Sequence, residues 1–163
     1  MRLVAAAALA CGMAAVAVAA EGTYTVKALA PEAALKAAQA ALAKCRAEGF
    51  QVSVTVVDRS AIPLVLLRDR YASAFSVDMA QRKAQTAVNF RMDTSTLDRE
   101  TQPGRPSAEL RRQPNVAAVA GGVVIEAGGS LVGAIGVSGA PGGANDELCA
   151  REGVKAIAED LEL

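Results

Sequence analysis

Between Gly121 and Ala150 the chain reads GGVVIEAGGSLVGAIGVSGAPGGANDELCA, and this one segment holds 9 of its 14 glycines. Gly128-Gly129 falls between two β-rich runs, which predicts a tight hairpin turn, because such turns need positive φ at the central residues. Gly133, Gly136 and Gly139 then recur at every third position along the second run. Successive strand residues face opposite sides of a sheet, so that spacing removes side chains from both faces and lets other groups approach the backbone. The segment is built to receive something at close range: a neighbouring element, a second subunit or a ligand.

The length corresponds to one domain, residues 21–163, preceded by a segment of different character. Residues 1–20 have the layout of a secretory signal peptide, with Arg2, an Ala/Leu/Val run from Leu3 and a small-x-small site at Ala17-Val18-Ala19. Gly12 interrupts the run and no charged flank closes it, which argues against a retained membrane anchor. The mature protein is therefore expected to be periplasmic or secreted, with no stable membrane anchor. The whole chain carries 17 basic and 17 acidic residues, so loss of Arg2 leaves the mature part with a net charge of −1. With no basic excess, no tryptophan and only two tyrosines and three phenylalanines, nucleic acid is not an expected partner. Histidine is absent, which excludes a Ser-His-Asp triad, a Cys-His pair, a His-ligated zinc and a His-ligated haem.

Pro31 opens a helix with an apolar stripe of Leu35, Ala38, Leu42 and Cys45, and Gly49 ends it. Val52, Val54 and Val56 alternate with Ser53 and Thr55 in a strand, Asp58-Arg59-Ser60 turns, and Ile62–Leu67 returns. Pro63 suggests an edge position or a strand start. Ser73 or Ser76 can cap a second helix whose stripe is Val77, Ala80, Ala84, Ala87 and Val88. Asp93–Gln113 reads as a long polar loop, with at most a helical turn near Ser95–Arg99. After the glycine hairpin, a last helix begins near Asn145, with Cys149, Gly153, Ala156 and Ile157 inward. Two hairpins with helices around them give an α+β class with antiparallel strand pairs.

Laid out in this way, the chain resembles the GlcG/HbpS family of haem-binding proteins, which also supplies the C-terminal domain of PduO-type proteins. The resemblance runs from about Pro31 to Ile157 and rests on three stretches: VSVTVVDRSAIPLVLLRDRYA, AQRKAQTAVNFRMDTSTL and the glycine hairpin quoted above. It implies a profilin-like fold, a five-stranded antiparallel sheet with helices on both sides, assembled into homo-oligomers. It also implies haem as a cofactor in some members. One departure is Arg70-Tyr71, which stands where the family more usually has glycine after the Asp.

Carried onto these residues, the resemblance points to Thr94 as a possible iron ligand, with Thr96 next; each can equally be a helix cap or turn residue. Tyr71 and Met92 are alternative ligands or packing residues. Arg68, Arg70 and Arg91, with Arg105, Arg111 and Arg112 in the long loop, could grip haem propionates or a small organic acid, or simply be solvated charges. Gly136 and Gly139 would permit close approach of such a ligand. Lys83 lies one turn from Met79 and Ala87, so it either spreads its stem over apolar surface with a wet ammonium or is buried as a base or nucleophile. Asn145 or Asp146 can cap the last helix, or leave its amides with Gly142-Gly143 as an anion site. In the resembling fold the first and last helices share one face of the sheet, so Cys45 and Cys149 could form a disulfide or remain two buried thiols.

The leading reading is an exported, oligomeric, non-enzymatic protein that binds haem or a related small molecule bearing carboxylates. One rival is an enzyme or accessory subunit acting on a small hydroxy acid or aldehyde through Lys83 or Asp146. Another is a purely structural oligomer in which the glycine strands form the subunit interface.

Overall fold

In the computed structural model, residues 22–161 are described; the expected signal peptide lies outside them. Helix α1 spans Pro31–Ala47 and is followed by strands β1 (Ser53–Asp58) and β2 (Pro63–Arg68). Helices α2 (Ala74–Phe90) and α3 (Thr94–Glu100) and a short 3-10 turn (Ala108–Arg112) lead to strands β3 (Gly122–Ala127) and β4 (Ser130–Ser138). Helices α4 (Gly143–Ala156) and α5 (Ala158–Leu161) close the order.

The two hairpins join through β1 and β4 into one antiparallel sheet of order β2-β1-β4-β3. Among the described residues this sheet has four strands, where the resemblance implied five. The lead before α1 makes no ladder, so β2 and β3 are both edges. Gly128 and Gly129 form the predicted two-residue turn, with φ of 55° and 74° between paired Ala127 and Ser130. Pro63 lies at a register shift opposite Val57 on an edge strand, where its missing N–H breaks no interior ladder.

Helices cover both faces of the sheet. On one side α1 and α4 pack over Val52, Val54, Val56, Val123, Ile125, Ile135 and Val137. The buried stripe of α1 is Ala34, Ala37, Ala38, Ala41, Leu42 and Cys45, and Leu35, expected inward, is 40% exposed. The stripe is rotated toward alanine because α4 comes very close: a Cβ on Gly153 would meet the Ala37 carbonyl oxygen at 2.7 Å. Cys45 and Cys149 are joined in a disulfide across this helix pair, with a Cα separation of 5.5 Å. At the C-terminal end of α1, Arg46 clasps Asp69 beyond β2 with hydrogen bonds of 2.7 and 3.0 Å, and that bonding holds the Asp69 carboxyl below its ordinary value.

On the other face the sheet presents small or short residues, Ser53, Thr55, Ala134, Gly136 and Gly122, and α2 lies directly on them. A Cβ on Gly136 would fall 2.0 Å from the Ala80 carbonyl oxygen and 2.6 Å from the Ala84 nitrogen. Ser73 caps α2 by accepting the Phe75 N–H, as its position predicts. Val77 is only half-buried, because the stripe that meets the sheet runs through Ser76, Ala80, Lys83, Ala84 and Ala87 instead. The stretch expected as a long loop contains α3 and the 3-10 turn, tied together by Arg111 donating to Asp98 at 2.6 Å.

Two outcomes follow for stability. Gly136→Ala forces α2 off the sheet at a cost of about 3 kcal/mol, at the upper end for overpacking; differential scanning calorimetry should show a clear fall in Tm, while Gly22→Ala, which meets nothing within 4 Å, is neutral. Reducing the disulfide, or replacing both cysteines with serine, opens a loop of 104 residues. Chain entropy assigns such a loop about 4–5 kcal/mol, so the denaturation midpoint should move down markedly with reductant and not with buffer alone.

Candidate functional site

Two concavities lie at opposite ends of α2. Close contact between α2 and β4 carries Lys83 underneath the sheet's end, where its Nζ donates to the Val137 carbonyl at 2.9 Å and to Asp146 Oδ2 at 2.7 Å. Asp146 comes from the first turn of α4, and its other oxygen accepts the Ala140 N–H at 3.0 Å. Both side chains are buried, at 2% and 3% exposure. They form the floor of a cleft of about 370 Å³ whose walls include Phe75, Met79, Val119, Gly139 and Gly143.

Burial pushes the Lys83 ammonium below its ordinary value, and the Asp146 and Glu147 carboxylates only partly oppose that. Burial likewise pushes the Asp146 carboxyl up, against the Lys83 charge and the Ala140 N–H. Both shifts narrow the preference for ammonium and carboxylate over amine and acid. The wet-ammonium reading of Lys83 is therefore corrected. Asp146 is likewise no side-chain cap: α4 starts two residues earlier than expected, at Gly143, which turns Asp146 inward, and Asn145 donates instead to the Pro141 carbonyl.

The second concavity, a groove of about 810 Å³, is bounded by the lead into α1, the C-terminal end of α2 and the β3–β4 turn. Tyr24, Lys27, Arg59 and Arg91 line it. Arg91 sits at the left-handed C-cap of α2, φ 54°, which swings it out of the helix line. Neither Arg59 nor Arg91 pairs with a carboxylate among the described residues. Tyr24 is 84% exposed.

The other sequence candidates are dispersed. Thr94 is fully buried; its hydroxyl accepts the Gly122 N–H at 2.8 Å and donates to the Gly122 carbonyl at 3.4 Å, clasping α3 to β3. A role in holding iron would require that clasp to open. Thr96 accepts from Arg99 at 2.8 Å. Arg68 donates to the Ala72 carbonyl, and Tyr71 stands exposed on the connection between β2 and α2. Gly136 lies beneath the α2 backbone, so the close approach it permits is made by a neighbouring element; Gly139 lines the Lys83 cleft. Arg112 pairs with Glu109 at the surface. Of the candidates, Arg91 reaches the large groove, and Lys83 and Asp146 come together in the small cleft.

Sequence reasoning missed Tyr24 and Arg59 in the groove, because only the fold brings residues 24–27 against the turn at 129–131. Lys83 did carry a signal. It lies three residues after Ala80 and four before Ala87, on the face that meets the sheet.

Comparison with known proteins gives consistent neighbours. The family described as haem degrading protein HbpS-like matches residues 29–155. An uncharacterised 15.0 kDa protein from the dhaT–dhaS intergenic region of Citrobacter freundii is 34% identical over 109 residues, 66% of this chain and 77% of that protein. Among solved structures, a double mutant of HbpS from Streptomyces reticuli superposes with a TM-score of 0.80 at 39% identity, covering 90% of this chain and 99% of the other. PduOC in complex with haem superposes with a TM-score of 0.76 at 28% identity, covering 81% and 96%.

Breaking the buried pair has a definite expected signature. Lys83→Met alone leaves an uncompensated buried carboxyl and costs about 3–5 kcal/mol. Lys83→Met combined with Asp146→Leu removes both charges, so urea denaturation should recover most of that loss in the double variant.

Proposed function

Because the chain belongs to the HbpS-like family, described as haem degrading, we propose that it binds haem, or a closely related carboxylate-bearing ligand, in the groove lined by Tyr24, Arg59 and Arg91. The observation that carries this reading is the donor set. With no histidine in the chain, a phenolate is the strongest haem-iron ligand left, as in proteins that ligate haem through tyrosine. Tyr24 presents that phenol at a groove of about 810 Å³, within the range of small-molecule and cofactor sites. Arg59 and Arg91 are suited to the two propionates, since guanidinium binds carboxylate through paired hydrogen bonds. The family relation to PduOC, solved with haem, supports the same ligand class. Haem supplies the iron redox chemistry when bound; this chain's residues supply ligation, charge and orientation.

A homo-oligomer forms part of the proposal. The outer edge of β2 pairs with no strand among the described residues, and Ile62 and Leu66 beside and on it are 60% and 43% exposed. Open, apolar strand edges invite pairing with another chain. Export to the periplasm or beyond accords with the disulfide, which persists in oxidising compartments.

Hemin titration of the mature protein, followed at the Soret band with size-exclusion to count haem per chain, tests the reading. A saturable shift is expected. Tyr24→Phe should abolish the phenolate-to-iron charge-transfer band, and Arg59→Ala or Arg91→Ala should each weaken binding about tenfold, the loss expected for one charged hydrogen bond. Thr94→Ala should leave the spectrum unchanged. A spectrum equal to hemin mixed with an inert carrier protein sinks the proposal.

A further inference from the structure

The Lys83–Asp146 pair has no part in haem binding at the groove. Lys83 and Asp146 line the cleft and not the groove, and Lys83 stands six residues before Asn89 at the groove, a rise of about 9 Å along α2. Stability does not account for the pair either, because a buried ion pair commonly offers no net advantage over apolar residues of the same size. Around it on this face stand the small residues Ala80, Ala84, Gly121 and Gly136, with Ser76 and Ser138 at the cleft. Yet the two groups form the floor of a cleft open to solvent, with Phe75 80% and Val119 38% exposed at its walls.

We infer that this cleft is a second site, which captures a small aldehyde or ketone as an imine on Lys83 Nζ, with Asp146 as the proton partner. The geometry supplies each requirement. Nζ is held by the Val137 carbonyl, so its position is set before a ligand arrives. Asp146 Oδ2 lies 2.7 Å away and can take a proton from the ammonium to free a nucleophilic amine. The Ala140 N–H fixes the other carboxyl oxygen, so Oδ2 stays aimed at the nitrogen. Burial of both groups acts in the same direction, toward the neutral amine and acid.

The step balances without any further reagent. Nζ forms a bond to the carbonyl carbon, giving a carbinolamine, and the C–O bond then breaks. Two protons that began on the ammonium leave with the oxygen as water, one of them passed through Asp146. The product is a protonated imine on Lys83 facing the Asp146 carboxylate. A cleft of about 370 Å³ walled by Phe75, Met79 and Val119 suits a short carbonyl compound with an apolar chain.

Reductive trapping decides the matter. The full mature protein is treated with propionaldehyde and sodium cyanoborohydride at neutral pH, digested, and mapped by mass spectrometry. Lys83 should be alkylated at least about tenfold faster than Lys36 and Lys155, whose side chains are 54% and 77% exposed. Asp146→Asn should reduce labelling at Lys83 by a similar factor and leave the two surface lysines unchanged. Val119→Trp, at the exposed rim, keeps the pair intact and should also slow Lys83 labelling, so the test survives if Asp146→Asn folds poorly. Saturating hemin should not protect Lys83. Labelling of Lys83 no faster than of Lys36, or equal labelling in Val119→Trp, overturns the inference.

Discussion

The contact between the backbone of α2 and the backbone of β4 at Gly136 governs one whole side of this molecule. A methyl group there would sit 2.0 Å from a carbonyl oxygen, so the helix and sheet meet only because position 136 has no side chain. Ala80 and Ala84 complete the fit from the helix side. A short helix-to-sheet spacing puts a strand carbonyl within reach of a lysine whose stem is covered by the packed elements. Here the short spacing does so, and the same spacing brings Lys83 within reach of α4. The glycine pattern and the buried ion pair are thus one feature seen from two sides.

The opposite face is organised differently. There the sheet offers valines and isoleucines, and two helices share the covering. Close helix–helix approach, through Gly153 on Ala37, takes the place of close helix–sheet approach, and the disulfide fastens it. Large apolar area on one face and near-contact of backbones on the other give the sheet two unlike surroundings. The buried lysine–carboxylate pair belongs to the side with the narrow spacing.

Local rules in the sequence carried the fold a long way. The Gly128-Gly129 turn, the Ser73 cap, Pro31 at the head of α1 and Pro63 at an edge each follow from dihedral or hydrogen-bond demands of one or two residues. The resemblance supplied the layering, which made a bridge between Cys45 and Cys149, two residues 104 apart, feasible but left two buried thiols equally open. What escaped was set by distance along the chain. Lys83 and Asp146 are 63 residues apart, and nothing near either one announces the other. Leu35 escaped for a related reason: the face α1 buries is chosen by how near α4 can come, not by which side chain is most apolar. The groove depends on four separate segments, so Arg91 was legible as a charge near a helix end, but Tyr24 and Arg59 were not.

The disulfide also changes the covalent shape of the chain. Its two sulfurs stand near the start and near the end of the fold, so α2, α3 and the entire sheet lie inside one closed ring. Residues 102–106, between α3 and the 3-10 turn, are the ring's most open stretch. A peptidase that cuts there severs the backbone but releases nothing: α1 with the first hairpin and α2 stay tied, through one sulfur–sulfur bond, to the glycine hairpin and α4. The protein then persists as a nicked but single molecule, with both halves of the Lys83–Asp146 pair still linked.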